Sequence, residues 1–476
     1  MNTLPQEGLS RDAIDTALDE LRAEDLPVDD GRAWGYVYDA GPEVAAVQKL
    51  ALTKFMSLNG LDPTVFPSLE KLENEVVGWC LAHLHAPEQA VGTFTSGGTE
   101  SCMLAVKAAR DWARDRRPET TAPQMILPTT AHAAFHKGAS YFGVEVVPVS
   151  VDPDTFQANL DEVRAKINDQ TILIVGSAAG YAHGVVDPIE ELGRIAEEHA
   201  LPLHVDGCIG GFLLNLFEEL GEDVPPFDFR VPGVTSISMD LHKYAFAPKG
   251  SSVLLVRDPE LRRAQYFACA SWSGYSVVNA TMQSTKSGGP LAGAWAVMRF
   301  LGKEGYLRLA KDILAATKQL LEEIPKIEGL RVLGKPNMGL IAIASDAIDV
   351  FQLCDELGER GWFVVPQLTF GNSPRNMHLA VEAANAHKVP AFLEDLRACV
   401  RLCRERPAEP PPAPVLQMAG SLTPEALRSS YAELMKMVGA EGGLPKRRGP
   451  INHIIDALPT ETKEELLKQF LGELFQ

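Results

Sequence analysis

The chain has 476 residues, long enough for about two to four domains around a large core, and 46% are hydrophobic against 22% charged, which excludes disordered and fibrous classes. Lys and Arg number 44 against 63 Asp and Glu, a net charge of −19 that argues against nucleic acid or an anionic membrane surface as partner. Any anion bound by such a chain must be held by a local pocket.

Residues 1–15 are polar and acidic and lack the apolar run of a signal peptide. No stretch reaches the ~18 uninterrupted apolar residues of a spanning helix. The seven cysteines are odd in number and form no CxxC, so reduced thiols in a cytoplasmic protein are expected, with no stable membrane insertion. A helix is expected over 42–56, with Pro42 in its first turn, and another over 68–84 from a Ser68 cap. Between 93 and 256 short β-branched runs alternate with amphipathic ones. Strands are expected at 125–127, 144–149, 171–175, 203–205, 235–239 and 253–256, and helices at 101–114, 135–142, 160–167 and 189–199. That alternation is the pattern of an α/β fold, a mostly parallel sheet covered by helices on both faces, whose ligands sit beyond the carboxyl ends of the strands.

Helices at 290–299 and 307–323 lead into a smaller α+β piece over 330–404. Five prolines within 406–414 mark a linker. A short helix then starts at Thr423-Pro424, and a terminal amphipathic helix carries Leu466, Leu467, Phe470, Leu471 and Leu474 on one face. The expected organisation is an N-terminal helical segment (1–92), a large ligand-binding domain (93–295), a small C-terminal α+β domain (296–405) and a linker with a helical extension (406–476).

Three sites fall at the ends of strand–helix units. In Thr95-Ser96-Gly97-Gly98-Thr99-Glu100-Ser101 two glycines permit close backbone approach, the following helix aims free N–H groups outward, and hydroxyls of Ser96, Thr99 and Ser101 add donors, which suits a phosphate. Alone, the stretch equally fits a Gly-rich turn with a helix cap, and it is neither a P-loop nor a dinucleotide fingerprint. The strand Leu203-His204-Val205 ends in Asp206, a carboxylate able to keep a heterocyclic nitrogen protonated or simply to cap the next helix. Lys243 follows another apolar strand, and desolvation there would lower its pKa and make it an amine nucleophile. A surface lysine is the plain alternative. Phosphate cradle, acidic ring partner and amine, with 37 residues from Asp206 to Lys243, are the parts that pyridoxal 5′-phosphate requires.

Around these sites stand Asn59, Val65-Phe66-Pro67-Ser68-Leu69, Glu73 and Glu75-Val76-Val77, then Ala131-His132-Ala133-Ala134-Phe135 and Ala139-Ser140-Tyr141-Phe142-Gly143. Gly176-Ser177-Ala178, His183-Gly184-Val185, Asp187-Pro188, Asp240, His242-Lys243-Tyr244, Ala247-Pro248-Lys249-Gly250-Ser251-Ser252 and Gly288-Gly289 complete the set. Over roughly residues 30 to 400 these stretches resemble the fold-type I pyridoxal-phosphate enzymes, within them the sphingosine-1-phosphate lyase branch of the group II decarboxylase family. The resemblance implies a seven-stranded-type sheet plus a smaller C-terminal domain, and pyridoxal 5′-phosphate as cofactor. It implies Lys243 as the Schiff-base lysine, Asp206 as pyridinium partner and His132 stacked on the ring. Ser96, Gly97, Gly98, Thr99 and His242 would surround the cofactor phosphate, and Lys249 would hold the substrate phosphate.

The resemblance also implies that Tyr38 reaches the neighbouring subunit's site and that Gly288, with Ser284 or Ser287, closes over the cofactor from the partner chain, hence a homodimer with shared sites. The expected activity is retro-aldol cleavage of a phosphorylated sphingoid amino alcohol, a small-molecule amine, to an aldehyde and phosphoethanolamine. Lys249, His183 or a water would carry the proton. The alternative is amino-acid decarboxylation on the same scaffold. Two stretches depart from the pattern. Gly60-Leu61-Asp62-Pro63 puts a carboxylate where the branch usually has a histidine, and Ser284-Thr285-Lys286-Ser287 has Lys286 where arginine is common. His132 and His136 stand four apart without a third ligand, so no metal site is expected. Cys399 and Cys403 read as one core face.

Overall fold

The computed structural model describes residues 3–62, 64–437 and 445–475, so Pro63 lies outside them. Its centre is a seven-stranded sheet of β1 (Val91–Thr95), β2 (Gln124–Pro128), β3 (Glu145–Val149), β4 (Thr171–Ser177), β5 (Leu203–Asp206), β6 (Val234–Asp240) and β7 (Ser252–Val256). The order is β1-β7-β6-β5-β4-β2-β3. The strands β2 to β6 pair parallel, while β7 runs antiparallel to both β1 and β6, so the sheet is mixed.

Every residue of β4, Thr171 to Ser177, is buried, as expected of a strand with helices on both faces. The helix Ile189–Glu198 presents Ile189, Leu192, Ile195 and Ala196 inward, and Gly98–Arg116 packs through Ala105, Ala108 and Ala109. Strand β1 is not among the expected strands, since Gly92 breaks its β-branched residues Val91, Thr93 and Thr95. Gly92, its second residue, has no room for a side chain, which would meet Leu255 at 2.5 Å and Val77 at 2.8 Å.

The helix expected from Ser68 starts one residue earlier, at Pro67, with Phe66 at the cap position and no side-chain cap. The helices expected at 290–299 and 307–323 join into one run, Gly289–Glu323, broken only at Gly302, whose φ of +55° interrupts the helical backbone. That run spans from the large domain to a four-stranded antiparallel sheet of Arg331–Val332, Leu340–Ala344, Val365–Gln367 and Asn376–Ala380, covered by Val350–Glu359 and Val389–Glu405. Cys399 and Cys403 are buried in the latter helix.

The proline-rich stretch is pinned at its start. The Gln352 amide donates to the Arg406 carbonyl at 2.8 Å and accepts from the Ala408 N–H at 2.9 Å. Helices follow at Ala413–Gly420, Pro424–Met437, Gly449–Ala457 and Thr460–Leu474. They dock on the small domain where Asp355 accepts from the Arg448 and Gly449 N–H groups and His453 bridges Asp349 and Arg375. The last helix leaves Leu467, Leu471 and Leu474 exposed. No helix among the described residues is long and apolar enough to cross a membrane.

Candidate active site

Strands β1, β4, β5 and β6 all end at one edge of the sheet, and β7 begins there, with Ser252 opposite both Thr95 and Asp240. Above that edge lies a cavity of about 640 Å³. Its floor is the carboxyl edge, with Ser177, Asp206, Asp240 and the Ser96–Thr99 loop, and its roof is the small domain's Val365, Gln367 and Ala380. The segment before the first long helix closes one side. Trp34 donates from its N–H to Phe363 O at 2.8 Å and accepts from Ala380 N at 2.9 Å, so Tyr36 and Tyr38 are delivered to the wall.

The cavity brings together Lys243, Asp206, His132, Lys249, His242, Ser96, Gly97, Gly98, Thr99 and Tyr38. Lys243 Nζ lies 3.0 Å from Asp240 Oδ2, in a side chain only 22% exposed. Burial pulls its pKa down, as expected from the sequence, but the Asp240 carboxylate outweighs it and holds the ammonium above the ordinary lysine range. The expectation of a depressed Lys243 is thus corrected: it ignored a carboxylate one helical turn's spacing before the lysine. The lowered lysine is Lys249, where burial and then the Lys243 ammonium both disfavour charge. Its Nζ sits 4.9 Å over the Tyr38 ring. Burial likewise lowers the His242 imidazole, whose Nδ1 bonds Ser251 O at 2.8 Å.

Asp206 is 7% exposed, and its Oδ1 accepts from Cys208 N at 3.0 Å and from Ser238 Oγ at 3.4 Å. Beneath it the imidazole of His204 binds Ser236 and Ser238 and is pushed down to about 4 by burial, so it stays neutral. His132 does two jobs. Its Nδ1 accepts from Ala134 N at 3.2 Å, capping Ala133–Phe142, while the ring lines the cavity.

The glycine loop has the form of a cradle. Gly97 has φ +150°, a conformation that disfavours side chains, and a Cβ on Gly98 would lie 2.6 Å from Asp240 Oδ2 and 2.8 Å from Cys208 Sγ. Ser101, by contrast, is no phosphate donor. Its hydroxyl is fully buried against Thr95 Oγ1 at 2.7 Å and Ser252 Oγ at 2.9 Å, because it points under the helix rather than into the cavity. An amine, a buried carboxylate, a flat ring and a glycine cradle at a helix N-terminus together fit pyridoxal 5′-phosphate.

Several expected residues lie elsewhere. His183 does not line this cavity. It is 3% exposed, stacked on Phe156 at 3.9 Å and bonded to Ser373 Oγ at 3.0 Å, and burial lowers it to about 4. Tyr181, two residues earlier, faces the cavity instead. Tyr38 lines the cavity of its own chain, held there by residues 33–38, which are stitched to the small domain; burial pushes its phenol up. Ser284, Gly288 and Asp62 line a separate cavity of about 720 Å³ that shares no lining residue with the first. Asn59 pairs with Ser287 in an antiparallel bridge. Asp62 is occupied locally, accepting from the Thr64 N–H at 2.9 Å and hydroxyl at 2.6 Å. Lining residues that the motifs did not single out include Tyr36, Tyr181, Cys102, Cys208, Val365 and Gln367. Asp240 was visible only as part of a motif, and its spacing of three from Lys243 was the available signal.

The pyridoxal-dependent decarboxylase conserved domain matches residues 32–345, and a C-terminal HTH-type domain of pyridoxal-dependent enzymes matches residues 413–473. The chain is 39% identical over 460 residues to a sphingosine-1-phosphate lyase of Arabidopsis thaliana, covering 95% of this chain and 79% of that protein. It is 38% identical over 415 residues to the same enzyme of Saccharomyces cerevisiae, covering 86% and 70%. Among solved structures, a sphingosine-1-phosphate lyase of Burkholderia pseudomallei superposes with a TM-score of 0.82 at 34% identity, over 94% of this chain and 98% of that one. A Lactobacillus brevis glutamate decarboxylase shares the fold at TM-score 0.74 and 22% identity, over 86% and 96%.

Asp240→Asn is expected to leave Lys243 buried without a counter-charge, so its pKa falls. Labelling of Lys243 by an amine-selective reagent, followed by peptide mapping, should reach half its maximal rate at lower pH than in the parent. An unchanged pH profile would mean that Asp240 does not hold the charge.

Proposed function

The chain belongs to the pyridoxal-dependent decarboxylase family, in its sphingosine-1-phosphate lyase branch, and from that premise we propose that it cleaves a phosphorylated sphingoid base to a long-chain aldehyde and phosphoethanolamine. The observation that carries this reading is the convergence of Lys243, Asp206 and His132 on one cavity, with Lys249 beside them. When bound, pyridoxal phosphate supplies an aldehyde for amines and a protonated ring that accepts the electron pair released by carbon–carbon cleavage.

The chain's own groups set the conditions for that chemistry. Asp206, fixed by Cys208 N and Ser238, would hold the ring nitrogen with its carboxylate. His132 offers a flat face for the ring, and the Ser96–Thr99 loop offers backbone N–H groups and hydroxyls to its phosphate. Lys243 is the amine that would join the cofactor, and Asp240 beside it, at 3.0 Å, orients that amine and balances its charge. Lys249, with its lowered pKa, is suited to remove the substrate's hydroxyl proton and, when protonated, to attract its phosphate.

We infer in addition a homodimer, because Ser284, Gly288 and Asp62 gather around a second cavity as a surface that a partner's site could use. A cytoplasmic setting suits the seven free cysteines.

Purified protein incubated with a phosphorylated sphingoid base should release aldehyde and phosphoethanolamine, and Lys243→Ala should reduce release to background. Carbon dioxide from amino acids without aldehyde would overturn the lyase reading in favour of decarboxylation. Lys249→Arg keeps a cation but loses a removable proton, so kcat should fall about 10²-fold or more while KM changes little. A raised KM at unchanged kcat would restrict Lys249 to phosphate binding. Sedimentation equilibrium should return twice the chain mass, and a fully active monomer would remove the shared-site reading.

A further inference from the structure

Two thiols meet in the wall of the cavity although 106 residues separate them in the chain. Cys102 lies in the first turns of the helix Gly98–Arg116, and Cys208 stands two residues past Asp206 at the end of β5. Their sulfurs are 3.8 Å apart, in residues 1% and 8% exposed. One ligand atom from each of Cys102, Cys208 and Asp206 lies within 4.8 Å of the others, and all three residues face the cavity.

The spacing excludes a disulfide and admits a shared metal. A disulfide needs its sulfurs at about 2.05 Å, far closer than these stand. Two thiolates on one tetrahedral zinc, with bonds of about 2.3 Å, stand about 3.8 Å apart. Two thiols in simple contact stand equally far apart, so the pair, whose sulfurs now share the Ser238 hydroxyl at 3.7 and 3.2 Å, could take up a metal without moving apart, and the carboxylate of Asp206 supplies a third donor of the kind zinc accepts. The fourth position would open to the cavity, as in zinc sites that keep one place for water or a ligand. Lys243, the nearby cation, is matched by Asp240 at 3.0 Å, so its charge does not stand alone against a metal.

We propose that Cys102, Cys208 and Asp206 form a binding site for a thiophilic divalent cation of the zinc class in the wall of the cavity. On loading, two S–H bonds break, two metal–sulfur bonds and one metal–carboxylate bond form, and two protons pass to solvent with no change in oxidation state. Because Asp206 cannot serve a metal and a ring nitrogen together, metal and pyridoxal phosphate exclude one another, a consequence that rests on the function proposed above. Zinc would act as an inhibitor that competes with cofactor loading.

The test uses the full-length protein freed of cofactor and dialysed against zinc chloride. One zinc per chain is expected, and cobalt in its place should give thiolate-to-metal absorption. Cys102→Ser and Cys208→Ser should each weaken zinc binding at least tenfold, with circular dichroism reporting the fold, whereas Cys80→Ser, at a buried thiol elsewhere, should not. Cobalt absorption in the parent keeps the proposal testable if either variant misfolds. Pyridoxal phosphate added in excess should expel the zinc, and zinc added to the holoprotein should release pyridoxal phosphate into the filtrate. Zinc binding below stoichiometry, full affinity in both cysteine variants, or simultaneous binding of metal and cofactor would each overturn the proposal. A protein that takes up zinc through both cysteines but never pyridoxal phosphate would instead refute the enzymatic reading and leave the metal site standing.

Discussion

An amine can wait charged inside a half-buried cavity only if a carboxylate stands beside it, and the Lys243–Asp240 pair meets that requirement at 3.0 Å. The arrangement depends on where β6 stops. Asp240 is the last residue of the strand, 3% exposed, and the turn that follows swings Lys243 back over the same edge. One strand later in spatial order, β5 ends in Asp206. Two neighbouring parallel strands thus deliver two carboxylates to one crevice, one committed to a lysine and the other free to face a ring. Their different partners give them different tasks.

The small domain and the N-terminal segment complete what the sheet edge begins. Trp34, fully buried, anchors residues 33–38 against Phe392 at 4.6 Å and the backbone of Ala380. That anchoring places the Tyr38 ring between Tyr244 and Lys249. Glu382, buried at the same junction and pushed up to about 8 by that burial, accepts from the Asp39 N–H at 3.2 Å. The site is therefore assembled across three sequence regions, and loosening any one of them alters the environment of Lys249.

Much of this was legible in the residues. Strands rich in Val, Ile and Leu between amphipathic helices announced the sheet, since burial on both faces demands apolar side chains throughout. The glycine loop, Asp206 and Lys243 were legible because each stands just after such a strand. His132 could be read as a cap or as a ring partner, and the folded chain uses it in both positions. Strand β1 was not legible, because Gly92 interrupts its Val and Thr residues and answers to the side chains of Leu255 and Val77 rather than to any strand propensity. Nor was the inward turn of Ser101, which is fixed by Thr95 and Ser252 on two different strands.

The sequence by itself determined the fold class and the parts of the cofactor site, which rest on local patterning and on residue types after strands, while the family rested on the resemblance of its motif stretches. Tertiary structure alone decided that Tyr38 lines the cavity of Lys243, that His183 packs behind the wall, that Lys249 rather than Lys243 is the lysine with the lowered pKa, and that Cys102 meets Cys208. Each of these depends on which distant surface a side chain is pressed against, and on the charge found there. No periodicity along the chain encodes that information.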